Sequence, residues 1–180
     1  MFPPFKRRLK NWPRKSSVIK IWVVNSSPTI LLGKIQQLAL LPASCAQLVI
    51  PQAVADEIAD GPVHDPARIW LNSSGKGFIR PNVPIPNIIA NWDLGAGETQ
   101  VISWCLSNPE SEAILDDGAA RKCAYTLGIQ MTGTLGLLMR YKKNHQISAL
   151  APLVDQLLEN GFRIDPATLE YVLNWANEGR

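Results

Sequence analysis

The segment VIKIWVVNSSPTILLGKIQQL, residues 18–38, contains the pattern on which the fold prediction rests. Its first seven residues, Val18 to Val24, are mostly β-branched and apolar, which is typical of a strand buried on both faces of a parallel sheet. Asn25-Ser26-Ser27-Pro28 then interrupts the apolar run, and proline is favoured in the first turn of a helix. Residues 29–38 follow helical spacing. The segment therefore predicts a strand that passes through a short polar turn into a helix.

The same alternation of strand and helix recurs along the rest of the chain. Short apolar stretches predict further strands at residues 47–50, 78–79, 113–115 and 128–131. Helical spacing predicts helices at residues 51–59, 66–71, 98–106, 117–127 and 133–143, with two more at 150–160 and 166–177. Residues 80–88 contain three prolines and predict an extended surface connection. This alternation indicates an α/β fold with a mostly parallel central sheet and C-terminal helices.

The net charge of the chain conceals two different parts. The 180 residues include 18 Lys and Arg and 15 Asp and Glu, a net charge of +3. Seven of the basic residues and none of the acidic ones fall in the first twenty positions, so the other 160 residues carry 11 basic and 15 acidic groups, a net charge of −4. Residues 1–17 are predicted to form a flexible basic arm, which is either a solvated tail or an overextended start of translation, with an arm that binds nucleic acid as the alternative. Residues 18–180 are predicted to form a single domain.

The composition excludes several classes of protein. Three widely spaced cysteines, Cys45, Cys105 and Cys123, occur without a CxxC pair or a nearby histidine, which predicts buried thiols in a reducing compartment rather than a zinc site. No stretch approaches the ~20 apolar residues that a membrane span requires. The apolar run after the basic start is short, contains Lys20 and lacks a small-residue cleavage site, so export is not expected. We therefore expect a cytoplasmic protein without a membrane partner.

Polar side chains lie at or just after the ends of the predicted strands. In an open α/β sheet, ligands bind at the carboxyl ends of the strands. Clustered oxygen ligands there are suited to Mg²⁺ or Mn²⁺, and a site of this kind typically promotes attack of an activated water on a phosphodiester. The candidate residues are Asn25, Glu57, Glu98, Asp116 and Asp117.

Spacing alone leaves other interpretations open. Glu57 lies on a helix beside Asp56 and Asp60, and a solvated helix face would also contain these acids. Asp117 would equally serve as a helix N-cap, with Arg121 as its partner one turn later.

Five segments together resemble PIN-domain proteins, and more narrowly the prokaryotic VapC-like branch. They are WVVNSSPTILLGKI (22–35), LVIPQAVADEI (48–58), LGAGETQVISWCL (94–106), ILDDGAARKCAYTLGI (114–129) and TGTLGLLMRYKKNHQI (132–147). The resemblance extends over residues 18–177 and implies a three-layer α/β/α fold. It implies an endoribonuclease that hydrolyses RNA with Mg²⁺ or Mn²⁺ as cofactor, acting as the toxin of a toxin–antitoxin pair. The implied partners are RNA, a cognate antitoxin and a second copy of the chain in a homodimer.

The resemblance also implies roles for individual residues. The positions that match the family's four acidic ligands are Asn25, Glu57, Glu98 and Asp117, with Asp116 as a supporting or alternative ligand. The positions expected to contact substrate are Ser27, Thr132, Thr134 and Arg121. Asn25 departs from the family pattern, because a neutral amide lowers the charge of the quartet from about −4 to about −3 and weakens its hold on a cation. A PIN fold that binds nucleic acid or protein without cleaving it is therefore an alternative.

Overall fold

The computed structural model describes residues 21–179, and the predicted basic arm, residues 1–17, lies outside this range. The described residues fall into two compact units, one up to Thr134 and one from Leu135 onward. Within the described range no helix is long and apolar enough to cross a membrane. A single domain over residues 18–180 stays a prediction.

The first unit alternates strands and helices in the predicted manner. Its elements in chain order are β1 (Ile21–Val24), α1 (Ser26–Lys34), α2 (Leu40–Ala43), β2 (Gln47–Pro51), α3 (Gln52–Ala59), α4 (Pro66–Leu71), a 3-10 turn (Lys76–Phe78), β3 (Ile79–Arg80), α5 (Asn87–Ala90), α6 (Ala96–Ser107), β4 (Ser111–Ile114), α7 (Gly118–Thr126) and β5 (Met131–Thr132). Helix α8 (Thr134–Lys143) begins at the last residue of this unit. The second unit continues with α9 (Ala151–Glu159) and α10 (Pro166–Trp175).

The five strands form one sheet in the order β3-β2-β1-β4-β5. All four neighbouring pairs are parallel, and Val24 of β1 lies opposite Ile114 of β4. After β1, the chain adds β2 and β3 on one side of β1, and it then adds β4 and β5 on the other side. Since parallel crossovers are right-handed, the two directions place helices on opposite faces of the sheet. The predicted three-layer α/β/α fold is thereby confirmed, and the crossovers change direction between β1 and β4, where open α/β sheets bind ligands.

Strand β1 and the second half of β4 are apolar on both faces, as the sequence predicted, whereas Ser111 and Glu112 in the first half of β4 are buried polar residues. Val23 and Val24 of β1 and Ala113 and Ile114 of β4 are fully buried, and Trp22 is 3% exposed. A strand covered by helices on both sides needs this composition, because neither face contacts water.

Several predicted element boundaries differ from the structure by a few residues, and two of these differences have local backbone reasons. Helix α1 ends at Lys34 rather than at residue 38, because Gln36 adopts a left-handed conformation with φ 59°. The last strand lies at residues 131–132 rather than 128–131, because Gly128, with φ 72°, still belongs to the turn after α7. A left-handed residue cannot continue a right-handed helix.

The cysteines are free thiols that differ in burial. Cys105 and Cys123 are buried as predicted, whereas Cys45 is half-buried. Burial raises the pKa of the Cys45 thiol to about 11 and that of Cys105 to about 12. These two thiols are therefore protonated at neutral pH and are poor nucleophiles.

Candidate active site

Asn25 follows β1 directly and is fully buried at the carboxyl edge of the sheet. Its backbone N–H donates to the carbonyl of Ile114 at 3.1 Å, which holds it beside the end of β4. Its side-chain Nδ2 donates to Oε1 of Glu98 at 3.0 Å. Because a carboxylate only accepts hydrogen bonds, the nitrogen of the amide must face Glu98, and the oxygen Oδ1 must face away from it.

Glu57 of α3 lies next to Asn25, and its carboxylate contacts the first turns of two other helices, α1 and α6. Its Oε2 accepts a hydrogen bond from Ser26 Oγ at 2.8 Å, and its Oε1 accepts one from the backbone N–H of Gly97 at 2.7 Å. Glu57 is half-buried, whereas Asp56 and Asp60 on the same helix are exposed. A solvated helix face therefore accounts for the two aspartates and not for Glu57.

Two glycines at the start of α6 allow the acidic side chains to approach the backbone. A Cβ atom on Gly97 would lie 2.7 Å from Asn25 Oδ1 and would collide with Oε2 of Glu57. A Cβ atom on Gly95 would collide with Oε2 of Glu98. The Gly-x-Gly-Glu sequence thus has a steric purpose: it lets oxygen atoms of Asn25 and Glu57 converge beside the first turn of α6.

The oxygen of the Asn25 side chain lacks a hydrogen-bond donor. Oδ1 is buried, and no donor among residues 21–179 lies within hydrogen-bond distance of it. A buried acceptor without a partner costs about 1–3 kcal/mol, and here it also lies near the carboxylate of Glu57. A cation bound between these oxygens would relieve both unfavourable features.

The residues present fit a divalent cation that keeps several of its waters. Within residues 21–179, no three His, Cys, Asp or Glu side chains form a group that could hold a metal ion. Mg²⁺ is commonly held by only one or two carboxylates, and water completes its coordination. Glu57, Glu98 and the amide oxygen of Asn25 match that smaller set.

Asp116 belongs to a different group of contacts, after β4. Its two oxygens accept hydrogen bonds from the backbone N–H of Thr134 at 2.8 Å and from Thr134 Oγ1 at 2.5 Å. Burial raises the pKa of Asp116, while the hydrogen bonds from Thr134 and the positive charge of Arg121 act in the opposite direction. Arg121 donates through Nη1 to the carbonyl of Leu115 at 2.5 Å. Asp116 thus connects Thr134, the last residue of the first unit, to the end of β4.

Asp117 has the helix-capping role that the sequence left open. It is exposed, precedes α7, and accepts a hydrogen bond from the backbone N–H of Ala120 at 2.9 Å. Of the predicted substrate-binding residues, Thr132 and Thr134 are buried near the same edge of the sheet, and Ser27 is half-buried in the first turn of α1. Ligand and substrate roles for these residues stay predictions.

Sequence interpretation missed two residues that contact Glu57. It assigned Ser27 to contact with substrate and gave Ser26 no role, whereas Ser26 donates a hydrogen bond to the acid. It gave Gly97 no role of its own, whereas the Gly97 N–H donates a hydrogen bond to the carboxylate of Glu57. The spacing of Gly97 directly before Glu98 was the available signal, because a glycine beside a candidate ligand indicates close approach of other atoms.

Fold and site together define an α/β/α protein with carboxylate and amide oxygens clustered at the carboxyl edge of a parallel sheet. A family model described as PIN domain, DUF3368, matches residues 21–178. The chain therefore belongs to this PIN-domain family, and the predicted PIN resemblance is confirmed, while the VapC-like branch stays a prediction. PIN domains are in general nucleases that depend on divalent metal ions. No curated protein matches the chain.

Proposed function

We propose that the protein is an endoribonuclease that uses Mg²⁺ or Mn²⁺ to hydrolyse phosphodiester bonds in RNA. The observation that carries the proposal is the buried Oδ1 of Asn25, which has no hydrogen-bond donor among residues 21–179 and lies beside Gly97, as does Oε2 of Glu57. Membership of the PIN-domain family supports the nuclease class. When bound, the cation supplies a Lewis acid that polarises a phosphoryl oxygen.

Glu57, Glu98 and Asn25 are the residues proposed to hold the cation. The amide of Asn25 donates to Oε1 of Glu98 and so restricts the orientation of this carboxylate. Asp116 and Asp117, at the end of the adjacent strand, are proposed as further ligands. Residues proposed to contact the RNA are Ser27, Thr132, Thr134 and Arg121.

Cleavage of a panel of RNAs in Mn²⁺ tests this proposal. We expect Glu57→Gln and Asp117→Asn to lower the cleavage rate by on the order of 100-fold or more, since loss of a metal ligand removes several kcal/mol of transition-state stabilisation. Asn also caps helices well, so Asp117→Asn should keep the fold. The matched control is Asp56→Asn, an exposed neighbour of Glu57 whose side chain accepts a hydrogen bond from Gln52 of the same helix. Equal cleavage by Glu57→Gln and the natural protein would contradict the metal site.

The neutral side chain at position 25 favours one alternative function. With Asn25 in place of an acid, the fold is also suited to a module that binds nucleic acid or protein without cleaving it. The same assay separates the two functions: if Asn25→Asp cleaves RNA in Mn²⁺ and the natural protein does not, the binding module is the correct assignment.

The role of toxin, the partnership with an antitoxin and the homodimer are proposed from the VapC-like resemblance alone. Growth arrest on expression of the chain, relieved by a small protein encoded beside it, would support them.

A further inference from the structure

We infer that Ser26 and Gly97 are positioning residues for Glu57: together they orient its carboxylate so that it shares a cation with Oδ1 of Asn25. This inference rests on the proposed metal site and adds to it two residues that neither spacing nor family membership assigns.

The two hydrogen bonds determine the orientation of the Glu57 carboxylate. Ser26 Oγ donates to Oε2 at 2.8 Å and the Gly97 N–H donates to Oε1 at 2.7 Å, so each oxygen has one donor. The donors come from the first turns of α1 and α6, and the acid comes from α3. Because the carboxylate is held at both oxygens from two directions, rotation about its terminal bond would break both contacts.

The carboxylate of Glu57 keeps acceptor capacity on the side of Gly97 where the amide oxygen of Asn25 also lies. Each carboxylate oxygen has two lone-pair sites, and one donor per oxygen leaves the other site available. A Cβ atom on Gly97 would meet both Oε2 of Glu57 and Oδ1 of Asn25, so the two oxygens border the same small space. Two acceptor oxygens without a donor between them repel each other, and a cation bound next to them would reduce this repulsion.

The start of α1 is held so that Ser26 is the serine that reaches Glu57. The backbone N–H and Oγ1 of Thr29 both donate to the carbonyl of Asn25, at 3.3 and 2.8 Å, which fixes this first turn. Successive helical residues point about 100° apart, so Ser27 faces a different direction from Ser26.

Titration of the natural protein and its variants with Mn²⁺ in the absence of RNA tests the inference. We expect Ser26→Ala to bind Mn²⁺ roughly tenfold more weakly, the usual effect of removing a residue that orients a metal ligand. Ser26→Thr, which keeps a hydroxyl, should restore most of the affinity. The control is Ser107→Ala at the opposite end of α6, where the hydroxyl bonds to the carbonyl of Ser103 in its own helix. Thermal unfolding in EDTA shows whether each variant is folded.

The possible outcomes separate this inference from the proposed function. If Ser26→Ala and Ser107→Ala bind Mn²⁺ as tightly as the natural protein, the inference is wrong even if RNA is cleaved. If Ser26→Ala unfolds at a lower temperature but keeps its Mn²⁺ affinity, Ser26 has a purely structural role and the inference is also wrong. A natural protein that binds no Mn²⁺ at millimolar concentration overturns it too. If Mn²⁺ binds, Ser26→Ala weakens it and Ser26→Thr restores it, but RNA is not cleaved, the inference stands and the proposed function fails.

Discussion

The amide of Asn25 gives the site a property that a fourth carboxylate would not provide. Its Nδ2 donates to Glu98 at 3.0 Å, whereas an aspartate at this position would repel Glu98. Two carboxylates about 4 Å apart repel each other by roughly 4 kcal/mol at an effective dielectric constant of ~20. The site with Asn25 is therefore less strained in the absence of a cation than a site with aspartate at this position would be. For the same reason, its free energy of cation binding is less favourable.

Gly97 provides a direct test of the close approach at this site. In Gly97→Ala the added methyl group would meet Asn25 Oδ1 at 2.7 Å and would collide with Glu57, so we expect a loss of about 1–3 kcal/mol in the free energy of unfolding. The matched control is Gly118→Ala, at the first position of α7, where a Cβ atom would have no neighbour within 4 Å. That variant should gain about 0.4–1 kcal/mol, because alanine restricts the unfolded chain. Urea unfolding measures the free energy of unfolding of both variants. Equal changes in Gly97→Ala and Gly118→Ala would show that the space beside Gly97 is not restricted.

At the scale of elements, the proline-rich segment after β3 is held by two amide side chains. Asn82 Oδ1 accepts from the backbone N–H of Ala53 at 3.0 Å, at the start of α3. Gln100 of α6 donates to the carbonyl of Val83 at 3.0 Å and accepts from its N–H at 2.8 Å. Three prolines predicted an extended connection over residues 80–88; residues 81–86 contain no helix or strand, whereas residue 80 still belongs to β3 and residues 87 and 88 already belong to α5. The two attachments were not predictable, because Asn82 and Gln100 form them with residues 29 and 17 positions away.

Glu178 connects three segments of the second unit. Its carboxylate accepts from the backbone N–H groups of Leu150 and Ala151, at 2.7–3.0 Å, at the start of α9. It also pairs with Lys142 Nζ of α8 at 2.7 Å. Burial on its own would raise the pKa of Glu178, but the hydrogen bond from Ala151 and those from Lys142 and Leu150 outweigh it and lower the pKa. The negative charge is thus favoured at a helix N-terminus.

Removal of this charge should make stability less dependent on pH. The folded-state pKa of Glu178 is lowered, so its stabilising contribution is present above the unfolded pKa of about 4.3 and is lost as the pH falls through the folded pKa. We expect Glu178→Gln to lower the free energy of unfolding by about 1 kcal/mol at pH 7 and by little at the lowest pH. Urea unfolding between pH 3 and 7 measures this, with the exposed Glu170 of α10 as control in Glu170→Gln. A difference from the natural protein that is constant over this pH range would contradict the assigned role.

For the whole molecule, cation binding and folding should be linked. If Mn²⁺ binds only the folded chain, a concentration one hundred times the Kd stabilises it by about 2.7 kcal/mol. For a chain of this length that corresponds to an increase of roughly 5–10 °C in the unfolding temperature. Glu57→Gln should show a much smaller increase, and thermal unfolding in EDTA and in Mn²⁺ measures the difference. An equal increase in the unfolding temperature of the natural protein and of Glu57→Gln would show that the cation binds at another site.

The sequence by itself determined the alternation of strands and helices, the parallel sheet and the acids at the strand ends. Apolar runs and helical spacing are local patterns, and the carboxyl ends of parallel strands necessarily meet at one edge. Three details were decided only by the tertiary structure: the order of the strands, the contact of Ser26 rather than Ser27 with Glu57, and the hydrogen bonds of Thr134 to Asp116. These depend on which elements become neighbours and on the direction of each side chain there. Pairing between distant segments leaves no periodic pattern in the sequence, so it is established only when the chain packs into its core.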